Sequence, residues 1–525
     1  MQRSLIALLL CLTPALADAR KDYVAARKSL EEANFETLLP GERDDYFARM
    51  AAWDHQETVK AISVMIGRYG VYLDTLEARM RQNREKVAPF MNRPRLSDQQ
   101  IALRNTYLRK LKKDEDNWRL GNVSLEKLVA AMGQWKEPKT LSMAINFMPK
   151  QQTWRVRQVS ALACAEWHRN VQSENLSKKL FKVLKKLAKD SEPRVRQATA
   201  RALASYQRLE ALPVLKQCLN DPDWRVRSAA IETVRKNPSD ETVDMLVLRM
   251  QKEKGRLEDD INKALQEISG RKINYAEEWL GWWKGAGRRV PPKGASTDVN
   301  APVDPDKKPK PGHKFYGIRT RSLGVVYVID MSGSMKREVE QIKRAAPVTG
   351  KKGADTPEGG KTRWEVARNE LKRAIRNLNR RAKFTFILFN HSVQPWQSEM
   401  IDASPANKKK ALEFLDKIEP RGATFTLGAL RQAFALGGVE AVKGKSAKEG
   451  PPVDTIFVLS DGGPTDSKMS GAQPMEPDPI LAQVKEWNKD LGAVIHTIAV
   501  HTDEVGTYFL KQLAAQNGGQ YVERK

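Results

Sequence analysis

Five side chains stand out as a set that could do chemistry together. Asp330, Ser332 and Ser334 fall in the run Asp330-Met331-Ser332-Gly333-Ser334. Thr424 lies in Gly422-Ala423-Thr424-Phe425-Thr426, and Asp461 in Ser460-Asp461-Gly462-Gly463. Two carboxylates and three hydroxyls offer oxygen donors only. Such a set suits a hard cation, and a compact octahedron favours Mg²⁺ (or Mn²⁺) at about 2.0–2.1 Å. The carboxylates balance the ion's charge and the hydroxyls fill further positions. One position can stay open, and it would attract an external carboxylate. Other candidates carry less. His391 follows Phe389-Asn390 in a hairpin turn. His496 and His501 lie in and just after a strand without a Cys or Ser partner pattern. There is no phosphate-binding glycine loop, zinc-ligand spacing or G-x-S-x-G elbow, and no general base stands near the set in the motif. The expected role is binding, without catalysis.

The elements that must position these residues are legible around them. Apolar runs of strand length alternate with helical patterns. Strands are expected at Leu323–Ile329, Lys383–Phe389, Val453–Leu459, Ala493–Val500 and Gln520–Val522. Helices are expected at Lys361–Asn379, Lys408–Leu415, Thr426–Leu436, Pro479–Leu491 and Val505–Gln516. This alternation implies an α/β fold with a doubly wound parallel sheet, whose ligands bind beyond the carboxyl ends of the strands. The loops carrying Asp330, Thr424 and Asp461 would then meet at one edge.

The D-x-S-x-S…T…D set, with the Gly-x-Thr424-x-Thr-x-x-Ala-Leu helix start and the Leu459-Ser460-Asp461-Gly turn, resembles the metal-ion-dependent adhesion site of von Willebrand factor A domains. The resemblance covers residues 314–525. It implies that Ser332, Ser334 and Thr424 are ligands directly or through water, and that Asp330 and Asp461 ligate the ion or hold its waters. It also implies an adhesive role. A long insertion, Ala346 to Gly360, and Lys/Arg-rich flanks are less usual features.

Residues 140–287 read differently. Trp154-Arg155-Val156-Arg157-Gln158 recurs as Pro193-Arg194-Val195-Arg196-Gln197 and as Trp224-Arg225-Val226-Arg227-Ser228. A period of this size means stacked helix pairs. Asp221 is expected to cap a helix that starts at Pro222, with Asp190 acting similarly before Pro193. Val195, Ala198, Ala202, Val226, Ala229 and Ala230 should face inward. The pattern resembles HEAT repeats of the short bacterial type with a D-x-x-x-R-V-R start, so the N-terminal half is expected to be α-helical with a HEAT-like α-solenoid. Tyr275, Trp279, Trp282 and Trp283 are expected to seal its end rather than form a ligand platform.

Residues 20–139 show helical periodicity over Arg43–Tyr72, Leu73–Lys86 and Leu103–Trp118, broken at Pro89 and Pro94, and two long helices packed as a hairpin are expected. Residues 288–313, rich in Pro and Lys, read as a semi-stiff linker. The first 19 residues combine Arg3, an apolar run from Leu5 to Leu12 and small residues near Ala17. They read as a cleaved signal peptide, placing the chain in the periplasm, at the cell surface or outside the cell. Cys164 and Cys218 sit among apolar neighbours and read as buried thiols rather than a disulfide framework.

Charge refines the partner. The chain of 525 residues carries a net charge of +26, concentrated in two windows: residues 101–200, with 21 basic and 9 acidic side chains, and residues 301–400, with 21 and 10. The uneven charge excludes a histone-like basic coat. The lack of any run of about 18 apolar residues excludes a multispanning membrane protein. A signal peptide opposes nucleic acid as partner, and the basic run Lys178–Lys189 reads as a solvated helix face. The expected partner is a protein or acidic polymer that supplies a carboxylate and meets basic flanks around a cation. The alternative is a cell-envelope scaffold whose repeats carry the main partner.

Overall fold

The computed structural model describes residues 18–91, 97–170, 173–206, 209–290, 312–339, 360–437, 451–466 and 471–524. Residues 1–17 of the expected signal peptide (residues 1–19), most of the linker and nearly all of the 346–360 insertion lie outside the described residues. The chain divides into a helical unit and a sheet unit.

The helical unit opens with α1 (residues 18–32), α2 (Pro40–Ala52), α3 (Gln56–Met91) and α4 (Asp98–Met132). The sequence reading placed the first break too late. Arg43–Tyr72 is not one helix, because the chain turns at Trp53 to His55, while Tyr72 and Leu73 lie together inside the 36-residue α3. Pro89 does not end that helix but lies inside its last turn, and the helix runs two residues further to Met91. The expected hairpin forms. Trp118 of α4 donates its indole N–H to Glu77 of α3 at 2.9 Å. At Gly121 of α4 there is no room for a Cβ against Leu73 and Tyr69 of α3.

The repeat segment contains α5 (Pro138–Phe147), α6 (Trp154–Asn170), α7 (Glu174–Leu187), α8 (Pro193–Ala202), α9 (Leu212–Leu219), α10 (Trp224–Lys236), α11 (Asp240–Met250), α12 (Arg256–Ser269) and α13 (Ala276–Gly285). The recurring Arg-Val-Arg triplets start α6, α8 and α10, which pack in that order. Val195, Ala198, Ala202, Val226, Ala229 and Ala230 are buried as their spacing requires. The aspartates act otherwise than expected. The N-cap of α8 is Glu192 and that of α10 is Asp223. Asp190 and Asp221 stand two residues earlier. Asp190 accepts both Nε (2.7 Å) and a terminal nitrogen (2.9 Å) of Arg157, and Asp221 takes Arg196 in the same way at 2.7 and 2.8 Å. Each of these arginines also donates to loop carbonyls just before its own helix, Arg157 to Gln151 and Gln152 and Arg196 to Asp190 and Ser191. A two-pronged guanidinium matches a carboxylate bidentately, so each pair fixes one repeat's register on the next. Capping falls instead to the acidic side chains two residues later, Glu192 and Asp223, which accept the N–H groups of Arg194 and Arg225.

Trp279 and Trp283 close the stack. Both are buried, and their indole N–H groups donate to Asn262 (2.8 Å) and Asp244 (2.9 Å). Trp282, only partly buried, packs edge-on against Trp279. Cys164 and Cys218 are buried free thiols, pushed up to about 12 chiefly by burial.

The sheet unit comprises β1 (His313–Phe315), β2 (Ile318–Thr320), β3 (Gly324–Asp330), α14 (Arg363–Arg376), β4 (Lys383–Phe389), β5 (Val393–Pro395), β6 (Ile401–Asp402), α15 (Pro405–Leu415), α16 (Thr426–Gly437), β7 (Thr455–Ser460), α17 (Pro477–Leu491), β8 (Val494–Val500), α18 (Glu504–Gln516) and β9 (Tyr521–Arg524). The main sheet runs β5-β4-β3-β7-β8-β9, with β6 also on β4. From β4 to β9 neighbouring strands are parallel, and β5 and β6 pair antiparallel on the β4 edge. β1 and β2 make a separate hairpin that the sequence reading assigned partly to linker.

β3 is buried along its whole length because both faces are covered. Val325, Tyr327 and Ile329 face a core shared with Trp364 and Leu371 of α14. Val326 and Val328 face one shared with Leu430, Val484 and Leu510 of α16, α17 and α18. The strand therefore ends in a fixed place, with Asp330 at its carboxyl end.

Two tests follow from this packing. Asp221→Ala strands Arg196 in a largely buried position and should cost about 3 kcal/mol. Adding Arg196→Met should recover much of that loss, which denaturant unfolding followed by tryptophan fluorescence will read; a single-mutant loss under about 1 kcal/mol would contradict the register role. The second test concerns His313, whose pKa burial lowers to about 4 from 6.5, with the Lys408 charge adding a smaller push. The unfolded chain takes up a proton that the native ring refuses. The stability involved is therefore intact above pH 6.5 and is lost as pH falls from 6.5 to 4, by up to about 3 kcal/mol. The His313→Gln protein should show a correspondingly flatter urea midpoint across that window.

Candidate functional site

Three loops meet at the carboxyl edge of the sheet. The first follows β3 and carries Ser332 and Ser334; the second precedes α16 and carries Thr424; the third follows β7 and carries Asp461. Backbone hydrogen bonds pin them together. Met331 N–H donates to Phe389 at 2.8 Å, Arg421 N–H to Met331 at 2.8 Å, and Gly333 N–H to Gly422 at 2.9 Å. Phe425 N–H donates to Asn390 at 2.8 Å, and Thr465 N–H to Thr424 at 2.9 Å.

Four of the five residues form one hydrogen-bonded chain. The Ser332 N–H donates to Asp330 Oδ1 at 2.8 Å. The Ser332 and Ser334 hydroxyls lie 2.9 Å apart, and Ser334 donates to Asp461 Oδ1 at 2.8 Å. Thr424 joins through its loop, its own N–H donating to the Thr465 hydroxyl at 3.0 Å. Asp330, Ser332, Thr424 and Asp461 are buried. Burial, and after it the charge of Asp461, push the Asp330 carboxyl up to about 7 against the opposing pull of the Ser460 and Ser332 hydrogen bonds.

Several contributors escaped the sequence reading. Ser460 donates its hydroxyl to Asp330 Oδ2 at 2.6 Å. Its signal was available: a hydroxyl ending the strand beside the one that ends in Asp330. Thr465 ties the second loop to the third. Arg363 reaches Asp461 Oδ2 at 2.8 Å, with the Asp461 side chain fully buried and that of Arg363 11% exposed. Nothing in the sequence marks Arg363, since 98 residues separate the pair. His391 does stand in the β4–β5 turn, as expected, but its ring also packs on the second loop. A Cβ at Gly422, where φ is +80°, would run into it. His496 stacks on Phe457 and accepts the Gln520 N–H at 3.0 Å, a structural role.

Among the described residues no group of three or more His, Cys, Asp or Glu is placed to hold a metal. The donors at this edge fit a hard divalent ion by another route, two carboxylates with neighbouring hydroxyls. Two carboxylates held close in a buried place repel, and a divalent cation is the kind of group that offsets both charges. No helix among the described residues is long and apolar enough to cross a membrane.

Comparisons with known proteins agree with both halves of the fold. A family model for HEAT repeats matches residues 180–266, and one for the von Willebrand factor type A domain matches residues 354–523. Human von Willebrand factor A domain-containing protein 3B is 27% identical over 169 residues, 32% of this chain and 11% of that protein. Bovine (Bos taurus) inter-alpha-trypsin inhibitor heavy chain H1 is 26% identical over 208 residues, 39% of this chain and 19% of that protein. The match thus spans less than a fifth of either relative's length. Among solved structures, a von Willebrand factor type A protein from Catenulispora acidiphila aligns with TM-score 0.28 and 17% identity over 39% of this chain and 40% of that one. The chain has a helical N-terminal half with HEAT repeats and a C-terminal α/β domain of the von Willebrand factor A type.

Gly422 offers a direct check on loop placement. Gly422→Ala forces a left-handed backbone on a side chain that also meets His391, and should destabilise the sheet unit by about 2 kcal/mol. Thermal unfolding will read this, and a neutral substitution would show that the second loop is not held where it is described.

Proposed function

We propose that this is a non-catalytic binding protein whose von Willebrand factor A domain captures a carboxylate-bearing partner through a divalent cation, Mg²⁺ or Mn²⁺, held by Asp330, Ser332, Ser334, Thr424 and Asp461. The observation that carries the reading is the continuous hydrogen-bonded chain from Asp330 through Ser332 and Ser334 to Asp461, at the sheet edge where such folds bind ligands. The ion would supply an electrophilic position for an external carboxylate. The chain's residues do the rest. Asp330 and Asp461 provide the negative charge. Ser332, Ser334 and Thr424 provide neutral oxygens. Ser460 orients the Asp330 carboxyl, and the burial of β3 keeps it in place.

The surroundings favour an acidic partner. Lys336, Arg337 and Arg421 are exposed on the loops bearing the site, and such a rim attracts anions at range. The partner is then a protein or acidic polymer, with the HEAT repeats as a second interaction surface. Secretion to the periplasm, cell surface or exterior belongs to the same proposal and is supported by the composition of the first 19 residues.

Isothermal calorimetry on the full chain tests the site. Saturable Mg²⁺ or Mn²⁺ binding is expected, abolished in Asp330→Ala and reversed by EDTA. Unchanged binding in Asp330→Ala would remove the proposed site.

A further inference from the structure

We infer that Arg363 is a built-in competitor at the proposed cation site: its guanidinium holds Asp461 Oδ2 and lowers the affinity of the site for a divalent ion. The inference rests on the cation-site reading above.

Both oxygens of Asp461 are engaged. Oδ1 accepts the Ser334 hydroxyl and Oδ2 accepts Arg363, each at 2.8 Å. The Arg363 pair is largely shielded from solvent, with side chains 11% and 0% exposed, so water screens it weakly. A guanidinium also cannot discard its charge, because arginine does not deprotonate in proteins.

The placement of Arg363 is firm. It is the first residue of α14, and its N–H donates to Arg337 at 3.0 Å. Thr362 caps the helix in a reciprocal box with Glu365. Glu365, two residues on, instead accepts the N–H groups of Lys361 (2.6 Å) and Thr362 (3.2 Å). The helix start therefore delivers a fixed positive charge to Asp461.

Two effects follow. The arginine occupies an oxygen that a cation would use, and it repels any cation placed beside that oxygen. The charge count also has a consequence for the partner. Two carboxylates, one guanidinium and a divalent ion leave a net charge of plus one, which a single incoming carboxylate neutralises. Arg363 thereby couples ion loading to the arrival of an acidic partner.

The test is Mn²⁺ binding to the full chain at fixed ionic strength, followed by the electron paramagnetic resonance of free Mn²⁺, for the parent, Arg363→Gln and Asp330→Ala. Removing a unit charge from beside the ion should tighten binding about tenfold or more in Arg363→Gln. If Arg363→Gln binds as the parent does or more weakly, the inference is overturned, while parent binding that Asp330→Ala abolishes leaves the cation site standing. If neither the parent nor Arg363→Gln binds Mn²⁺ saturably, the cation-site reading fails and this inference with it. A second measurement needs no substitution. Phenylglyoxal modification of Arg363 in the unaltered protein, read by mass spectrometry, should speed up severalfold on adding Mn²⁺ as the guanidinium gives up Asp461. An unchanged or slowed rate overturns the inference even if the variant does not fold.

Discussion

The sheet unit is organised around one costly placement, a carboxylate at the end of a strand with no exposed face. Asp330 is fully buried and has Asp461 as a neighbouring charge, and its carboxyl is pushed up to about 7. Leaving such a group unpaired would be expensive, and much of the local architecture satisfies it. Ser332 offers its N–H, Ser460 its hydroxyl, and the two serines of the first loop pass the network on to Asp461. The apolar cores on both faces of β3 allow this by preventing the strand end from shifting toward water. A site built this way is preorganised by packing and not by its loops alone.

The helical unit uses buried charge differently. Its arginines hold bidentate carboxylates one repeat away, and these pairs set register where small apolar residues set distance. Glu77 extends the network toward the N-terminal hairpin. It receives Arg155 and Arg194, each at 3.2 Å, and both guanidiniums lie over the ring of Trp154. The Arg-Val-Arg triplet thus has two outputs, because residues two apart on a helix point to different neighbours. The third copy departs from this, as Arg225 turns back to its own cap, Asp223, at 2.7 Å.

The lower affinity proposed for the cation site follows from the same economy of charge. Asp461 is satisfied by a side chain of the protein itself, so ion binding there is an exchange of one cation for another. Such a site responds to what the partner brings as well as to the ion.

Sequence alone determined the class of each half and singled out the residues of the proposed cation site. Alternating apolar runs, the recurring Arg-Val-Arg triplet and the D-x-S-x-S spacing are local signals, and local periodicity survives in a linear reading. It also singled out the tryptophan cluster, of which Trp279 and Trp283 are buried. It failed where a role depends on partners distant in the chain. Asp190 and Asp221 look like caps until the arginines of the preceding repeats come into reach, and Arg363 looks like one more surface charge until α14 packs beside the β7 turn. The β1–β2 hairpin was missed because three-residue strands are too short to show a period. Tertiary structure decided which hydroxyls and charges face Asp330 and Asp461, since that choice is made by strand order and loop pinning. Neither leaves a mark on the spacing of residues along the chain.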